Sequence, residues 1–426
     1  MALLKVQTNK GTVVGRKGER TDCSLFLGIP YAKPPVGKLR FAAPEEAEPW
    51  EGERECFHFG ASPIQGKPRF PMPDDLVTSE DCLTLNVFTP AKSSDEKLPV
   101  MFWIFGGGFF GGSSEDPFIY GESLTQKGVI VVTVNYRVGV LGFCALPELE
   151  QQNGRNVNAG ILDQQLALRW VRENISAFGG DPDRVLVHGQ SAGGMSTRMH
   201  LTSPLAKDLF SRAVIQSGGG LNEADPIRTK EDFISICQRS MEHLGWSFEE
   251  LMTRDALEVY EGMSQAAKDT AESFEVGFFQ PFIDGYSIVG VPGQLISQGK
   301  YMDIPIICGT VSGDAWMFSR KVKDSLPEDK AASYFKGFAT APSQAWAQDN
   351  LEKGRTPIYA YFMDRTQPAE PDRGRGGHNK APMWGRQTPH SSEIAYVFGT
   401  LEQKSKEFTD YDRELSDAMQ TYWTNF

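Results

Sequence analysis

The pentapeptide Gly189-Gln190-Ser191-Ala192-Gly193 fits G-x-S-x-G, the pattern of a serine lifted out of a sharp turn as a nucleophile. The pattern gains weight from its context. A β-type run, Arg184 to His188, leads in, and Met195 to Leu201 leads out with helical character. A strand-to-helix turn there would raise the Ser191 hydroxyl above a sheet, with glycines relieving the crowded backbone. The bland alternative is a serine in a tight glycine turn.

A serine hydroxyl attacks a carbonyl only when a neighbouring base takes its proton. Six histidines are available: His58, His188, His200, His243, His378 and His390. On a strand–turn–helix scaffold of this kind the chain order is nucleophile, acid, histidine, which removes His58 and His188. His200 would point where the helix leaving Ser191 dictates, and His243 falls in a charged helical stretch. Of the two that remain, His390 directly precedes the apolar run Ile394 to Phe398 and is preferred over His378, which lies among Arg and Gly. The acid that orients the imidazole should follow a strand, because active groups gather at the carboxyl ends of parallel strands. Asp314 and Asp364 both meet that condition, and spacing does not separate them. Asp284 reads as a turn residue.

Gly106-Gly107-Gly108-Phe109-Phe110-Gly111 also satisfies G-x-G-x-x-G, so a dinucleotide-binding oxidoreductase is the rival from another reaction class. That rival needs a helix opening on the glycines and an acidic residue ending the next strand. Here the loop continues through Gly112 to Pro117, and the next strand ends at Asn135. Bare glycine amides have a second use, as donors to the charge that develops on a carbonyl oxygen, and this use fits better.

Positioning these groups requires a sheet. Val100 to Phe105 and Val129 to Val134 are apolar on both faces, as central covered strands should be. Leu162, Leu166, Trp170, Val171 and Ile175 form a helical stripe stopped by Gly179-Gly180 and Pro182. Further strands are expected at Arg184 to His188, Ala213 to Gln216, Ile304 to Cys308 and Ile358 to Phe362. The fold class is therefore α/β, around a largely parallel sheet. Residues 222–274 turn to charged, helix-favouring composition and read as a helical insertion lying over the sheet. Residues 367–386, rich in Pro, Gly and Arg, read as an irregular loop before the histidine. The whole of 1–426 is read as one domain.

Composition narrows the function. With 43 Lys+Arg against 55 Asp+Glu the net charge is −12, which repels phosphate backbones and disfavours nucleic acid. No run reaches the roughly 20 apolar residues of a membrane span. The N-terminus passes straight into the alternating Val6/Thr8 pattern without a basic and then apolar leader. The six cysteines are scattered, with neither a disulfide framework nor metal spacing, and read as reduced thiols in the cytoplasm.

Taken together, the motifs resemble those of the type-B carboxylesterase family, which includes cholinesterases and bacterial esterases. The resemblance runs from about Gly11 to the end of the chain. It rests on Phe178-Gly179-Gly180 with Val185, Val187 and Gly189 to Gly193, and on Glu80-Asp81-Cys82-Leu83-Thr84-Leu85-Asn86-Val87. Gly28-Ile29-Pro30-Tyr31-Ala32, Asn135-Tyr136-Arg137-Val138-Gly139 and Asn158-Ala159-Gly160 with Asp163-Gln164 add to it. It implies the α/β-hydrolase fold, Ser191 as nucleophile, His390 as base and Asp314, five residues after Gly309, as acid. It also implies Gly107, Gly108 and Ala192 as the oxyanion-hole donors. Arg40 with Glu80, and Arg137 with Asp163, match structural ion pairs.

The expected activity is hydrolysis of small to medium apolar or aryl carboxylic esters through an acyl-enzyme, by a monomer or homodimer, with no metal or organic cofactor. Alternatives are a non-catalytic binding protein of the same fold, or an amidase, thioesterase or acyltransferase with the same triad. Phe109, Phe110, Phe278, Phe279, Trp316 and Trp384 could line an apolar pocket or simply fill the core.

Several departures from the family pattern stand out. Gln190 replaces the usual glutamate. No tryptophan lies between Trp50 and Trp103, so a cage for choline esters is not expected. Cys82 lacks its usual partner cysteine, leaving Cys56 as a substitute or the thiol free. Family members normally continue beyond a segment like Tyr422 to Phe426.

Overall fold

Nine strands form one sheet in the computed structural model, which describes residues 3–66, 76–222, 227–271, 279–314, 340–368, 388–403 and 407–426. In chain order they are β1 (Arg16–Lys17), β2 (Ser24–Pro30), β3 (Thr84–Thr89), β4 (Leu98–Ile104) and β5 (Ile130–Val134). They continue with β6 (Gly180–Gln190), β7 (Arg212–Gln216), β8 (Ile306–Val311) and β9 (Ile358–Met363). Across the sheet the order is β9-β8-β7-β6-β4-β5-β3-β2-β1. The strands from β9 to β5 run parallel, and β3, β2 and β1 extend one edge antiparallel. The largely parallel α/β sheet expected from the apolar runs is therefore present.

Helix α1 (Ala159–Asn174) and helix α2 (Ala192–Thr202) both pack on β6. Every residue from Val100 to Ile104 of β4 is buried, Met101 and Trp103 on one face and Val100, Phe102 and Ile104 on the other, as are Ile130, Val131, Val132 and Val134 of β5. Burial of both faces is why these two strands read as unbroken apolar runs.

Two boundaries differ from the sequence expectation, each beside a proline. The helical stripe ends as expected, with Gly179 in a left-handed cap after Phe178, but the strand expected at Arg184 to His188 begins earlier, at Gly180, and includes Pro182. The register of β6 on β4 shifts between Gly180 and Val185, so Pro182 sits where no ladder hydrogen bond is demanded of it. The strand expected at Ile304 to Cys308 starts only at Ile306, after Pro305, which has no N–H to give and whose carbonyl accepts from Ala213 N at 3.2 Å.

Between β7 and β8 lie helices α3 (Lys230–Leu244), α4 (Phe248–Thr253) and α5 (Ala256–Asp269), capped by Thr229, Ser247 and Asp255. They fall in the stretch read as a helical insertion, of which 223–226 and 272–274 lie outside the described residues. Tyr260 of α5 donates its hydroxyl to the Phe110 carbonyl at 2.5 Å, which fastens this helix to the glycine loop. Of the expected irregular loop at 367–386, only residues 367 and 368 are among the described ones.

Two buried ion pairs hold the frame. Arg40 grips Glu80 with two hydrogen bonds, of 2.7 and 2.8 Å, and donates to the Leu251 and Arg254 carbonyls at the end of α4. Arg137 grips Asp163 of α1 at 2.9 and 2.7 Å and also donates to the Leu39 and Arg40 carbonyls. Asp163 is sealed from solvent, so removing it leaves a buried guanidinium without its counter-charge. We expect Asp163→Ala to cost about 3–5 kcal/mol of stability, read as a lowered midpoint in denaturant unfolding.

Candidate active site

Ser191 occupies the single residue between β6 and α2, at φ 57° and ψ −122°. Such backbone is costly for a residue with a Cβ and persists only where its surroundings enforce it. Here β6 is flanked by β4 and β7 up to its last residues, with Gly189 opposite Ile104 and Gln190 opposite Gln216. Ser191 N donates to the Gln216 carbonyl at 2.8 Å, and Met195 N closes the first helical turn on the Ser191 carbonyl at 2.8 Å. There is no room for side chains around this reversal. A Cβ on Gly193 would lie 2.0 Å from the Ile104 carbonyl oxygen, and one on Gly106 would lie 2.6 Å from the Gln190 carbonyl oxygen.

The loops after β4, β7 and β8 meet this turn at the carboxyl end of the sheet. Four of the six non-glycine residues with positive φ among the described residues belong here: Phe109, Ser191, Ser217 and Ser391. After β8, Asp314 is fully buried. Its Oδ2 accepts from Ser217 Oγ at 2.6 Å and from Val311 N at 3.0 Å, and its Oδ1 pairs with His390 Nδ1 at 2.5 Å. An ionised carboxylate only accepts, so this network assigns the proton to His390 Nδ1 and leaves Nε2 as the basic nitrogen.

His390 enters from beyond β9, just ahead of helix α6 (Ile394–Phe398). That helix is fastened by Tyr396, whose hydroxyl donates to Asp412 of helix α7 (Asp410–Asn425) at 2.7 Å, while Arg365 past β9 holds the same carboxylate. Burial opposes the charged imidazolium, but the hydrogen bond and charge of Asp314 outweigh it, and the His390 pKa is raised.

Asp314 and His390 are thus brought together, as expected, while Asp364 is exposed and takes no part. Asp284 accepts from the backbone N–H groups of Tyr286, Ser287 and Ile288, as a turn residue should. His200 is bonded to Gln164 at 2.8 Å, and its pKa is pushed down to about 3 by burial. His188 is buried in β6, with its pKa also at about 3 for the same reason. His243 lies on the surface of α3, and His378 is outside the described residues.

Among the described residues Ser191 Oγ makes no hydrogen bond to His390; Gln190, the residue before Ser191, lies against His390 and accepts a hydrogen bond from Ser391 Oγ at 3.0 Å. Gly107 and Gly108 have φ of 111° and 67°, and no helix opens on them, since the next helical turn is Pro117–Ile119. That removes the geometry the dinucleotide reading required. Ala192 begins α2, so its N–H is one of those a helix start leaves unpaired.

The model of the Carboxylesterase family matches residues 3–337 and 328–426. The chain belongs to the carboxylesterase family. It is 36% identical to the para-nitrobenzyl esterase of Bacillus subtilis (strain 168), over 99% of this chain and 89% of that protein. It is 37% identical to the fumonisin B1 esterase of Sphingopyxis macrogoltabida, over 98% and 81%. A solved PNB esterase superposes with a TM-score of 0.84 at 32% identity, covering 99% of this chain and 90% of that one. The fold of this carboxylesterase is the α/β-hydrolase fold, and the chain is a serine hydrolase of carboxylic esters.

Sequence reasoning missed two residues of this carboxylesterase site. Ser217 orients Asp314, and only its place directly after β7 could have pointed to it. Glu393, three residues after His390, is sealed from solvent with neither carboxyl oxygen at hydrogen-bond geometry. Burial, and then the Asp314 charge, push its pKa up to about 7. Of the residues proposed to line a pocket, Phe109 and Phe279 are buried and Phe110 is partly exposed; Phe278, Trp316 and Trp384 lie outside the described residues. Among the described residues no group of three His, Cys, Asp or Glu side chains could hold a metal. No described helix is long and apolar enough to cross a membrane.

In Asp314→Asn the hydrogen-bonded charge is gone while burial remains, so His390 should titrate at lower pH than in the wild type, as read by an NMR titration of its ring protons.

Proposed function

We propose that Ser191 attacks the ester carbonyl while His390 Nε2 takes its proton and then returns it to the leaving alcohol. Asp314 holds the imidazole in the required tautomer and stabilises its charged form. The amides of Gly107, Gly108 and Ala192 donate to the oxyanion. Water, deprotonated by His390, then releases the acid from the acyl-enzyme. The observation that carries this reading is the 2.5 Å Asp314–His390 pair, delivered by two separate loops to the mouth of the strained Ser191 turn.

Small to medium apolar or aryl esters are the proposed substrates. Phe110 beside the glycine loop supports this, as does a relative named for para-nitrobenzyl esters. The insertion at 222–274 is proposed as a cap-like part of a single domain, supported by the Tyr260–Phe110 bond. A reducing, cytoplasmic setting is supported by six buried, free thiols.

The test is hydrolysis of p-nitrophenyl acetate, butyrate and octanoate. Ser191→Ala should lower kcat/KM by on the order of 10⁴-fold or more, and a fluorophosphonate should label Ser191 in the wild type. Undiminished turnover by Ser191→Ala, or labelling at another residue, would overturn the assignment.

A further inference from the structure

The side chain that precedes Ser191 lies against the proposed base. Gln190 is buried, and its amide nitrogen is 3.1 Å from His390 Nε2 and 3.5 Å from His390 Nδ1. Such similar distances exclude a donor on the lone-pair axis of Nε2, because that axis points away from Nδ1 in the plane of the ring. In-plane positions this close to both nitrogens overlap the ring carbons, so the amide sits over the face of the imidazole. Its orientation is fixed from the other end. Ser391 Oγ donates to Gln190 Oε1 at 3.0 Å, which turns the NH2 group toward the ring.

An N–H edge over a neutral aromatic face is weakly favourable, whereas the same electropositive edge repels an imidazolium. A carboxylate in this place would do the reverse and favour the charged ring. The ionisable groups facing His390 among the described residues are Asp314 from the turn after β8 and Glu393 from its own segment, with Tyr361 of β9 beside both carboxyls. Gln190 opposes their pull toward the charged form.

We propose that Gln190 is a positioning residue that holds the His390 ring by its face and favours its neutral form, extending activity to lower pH than a glutamate there would permit. The proposal rests on His390 serving as the base for Ser191. It is tested by the pH profile of kcat/KM on p-nitrophenyl butyrate for wild type, Gln190→Glu and Gln190→Met, with folding checked by circular dichroism. Gln190→Glu should move the acid limb up by about one pH unit, and Gln190→Met should move it the same way by less. Both shifts should persist in a Glu393→Gln background, which excludes a response of that carboxyl. An unmoved limb in the folded variants, or a shift to lower pH, overturns the proposal; if Gln190→Glu does not fold, Gln190→Met decides alone. Ser191→Ala, run in parallel, separates the two readings. Full activity there overturns the assignment of the site, while lost activity with an unmoved limb overturns only the role of Gln190.

Discussion

The reversal of the chain at Ser191 is the constraint around which the rest of the molecule is arranged. A strand hemmed in on both sides must turn into a helix within one residue, and the only backbone that does so is one a serine adopts at a cost of order 1–3 kcal/mol. The sheet supplies what holds it there. Hydrogen bonds from Ser191 N to the Gln216 carbonyl and from Met195 N to the Ser191 carbonyl fix both sides of the turn. Glycines at 106, 189 and 193 let three backbones approach more closely than any Cβ would allow.

The same crowding explains why the remaining groups converge. Parallel strands end on one side of the sheet, so the loops after β4, β7 and β8 reach the turn without long excursions. Asp314 is buried there without an unpaired oxygen, because Ser217, Val311 and His390 between them satisfy it. His390 needs a different support, since it comes from outside the parallel core. The Tyr396–Asp412–Arg365 network braces the short helix behind it.

Charge at the site is balanced by neighbours rather than by solvent. Asp314 raises the imidazole pKa, Glu393 is held near neutrality by burial and by that same charge, and Gln190 presents an uncharged amide where a carboxylate would add to the pull. Farther out, the Arg40–Glu80 and Arg137–Asp163 pairs direct further donors to backbone carbonyls, Arg40 to the end of α4 and Arg137 to Leu39 and Arg40.

The sequence alone determined the strand–turn–helix around Ser191, the doubly buried strands β4 and β5, and the helix through Leu162 and Trp170. Each is written in local periodicity and glycine placement, which a linear reading can see. The choice of His390 also came from local context, since the apolar helix behind it is contiguous in the chain. Asp314 and Asp364 could not be separated by spacing, because both follow strands; only the packing of β8 between β7 and β9 buries the first, while the second stays in solvent. The strand limits at Gly180 and Ile306 depended on how prolines meet a neighbouring ladder, which no single segment reveals. Ser217, Glu393 and the Gln190 amide meet their neighbours through contacts between residues that are mostly tens to hundreds of positions apart, so the tertiary structure decided their surroundings and the sequence carried no periodic trace of them.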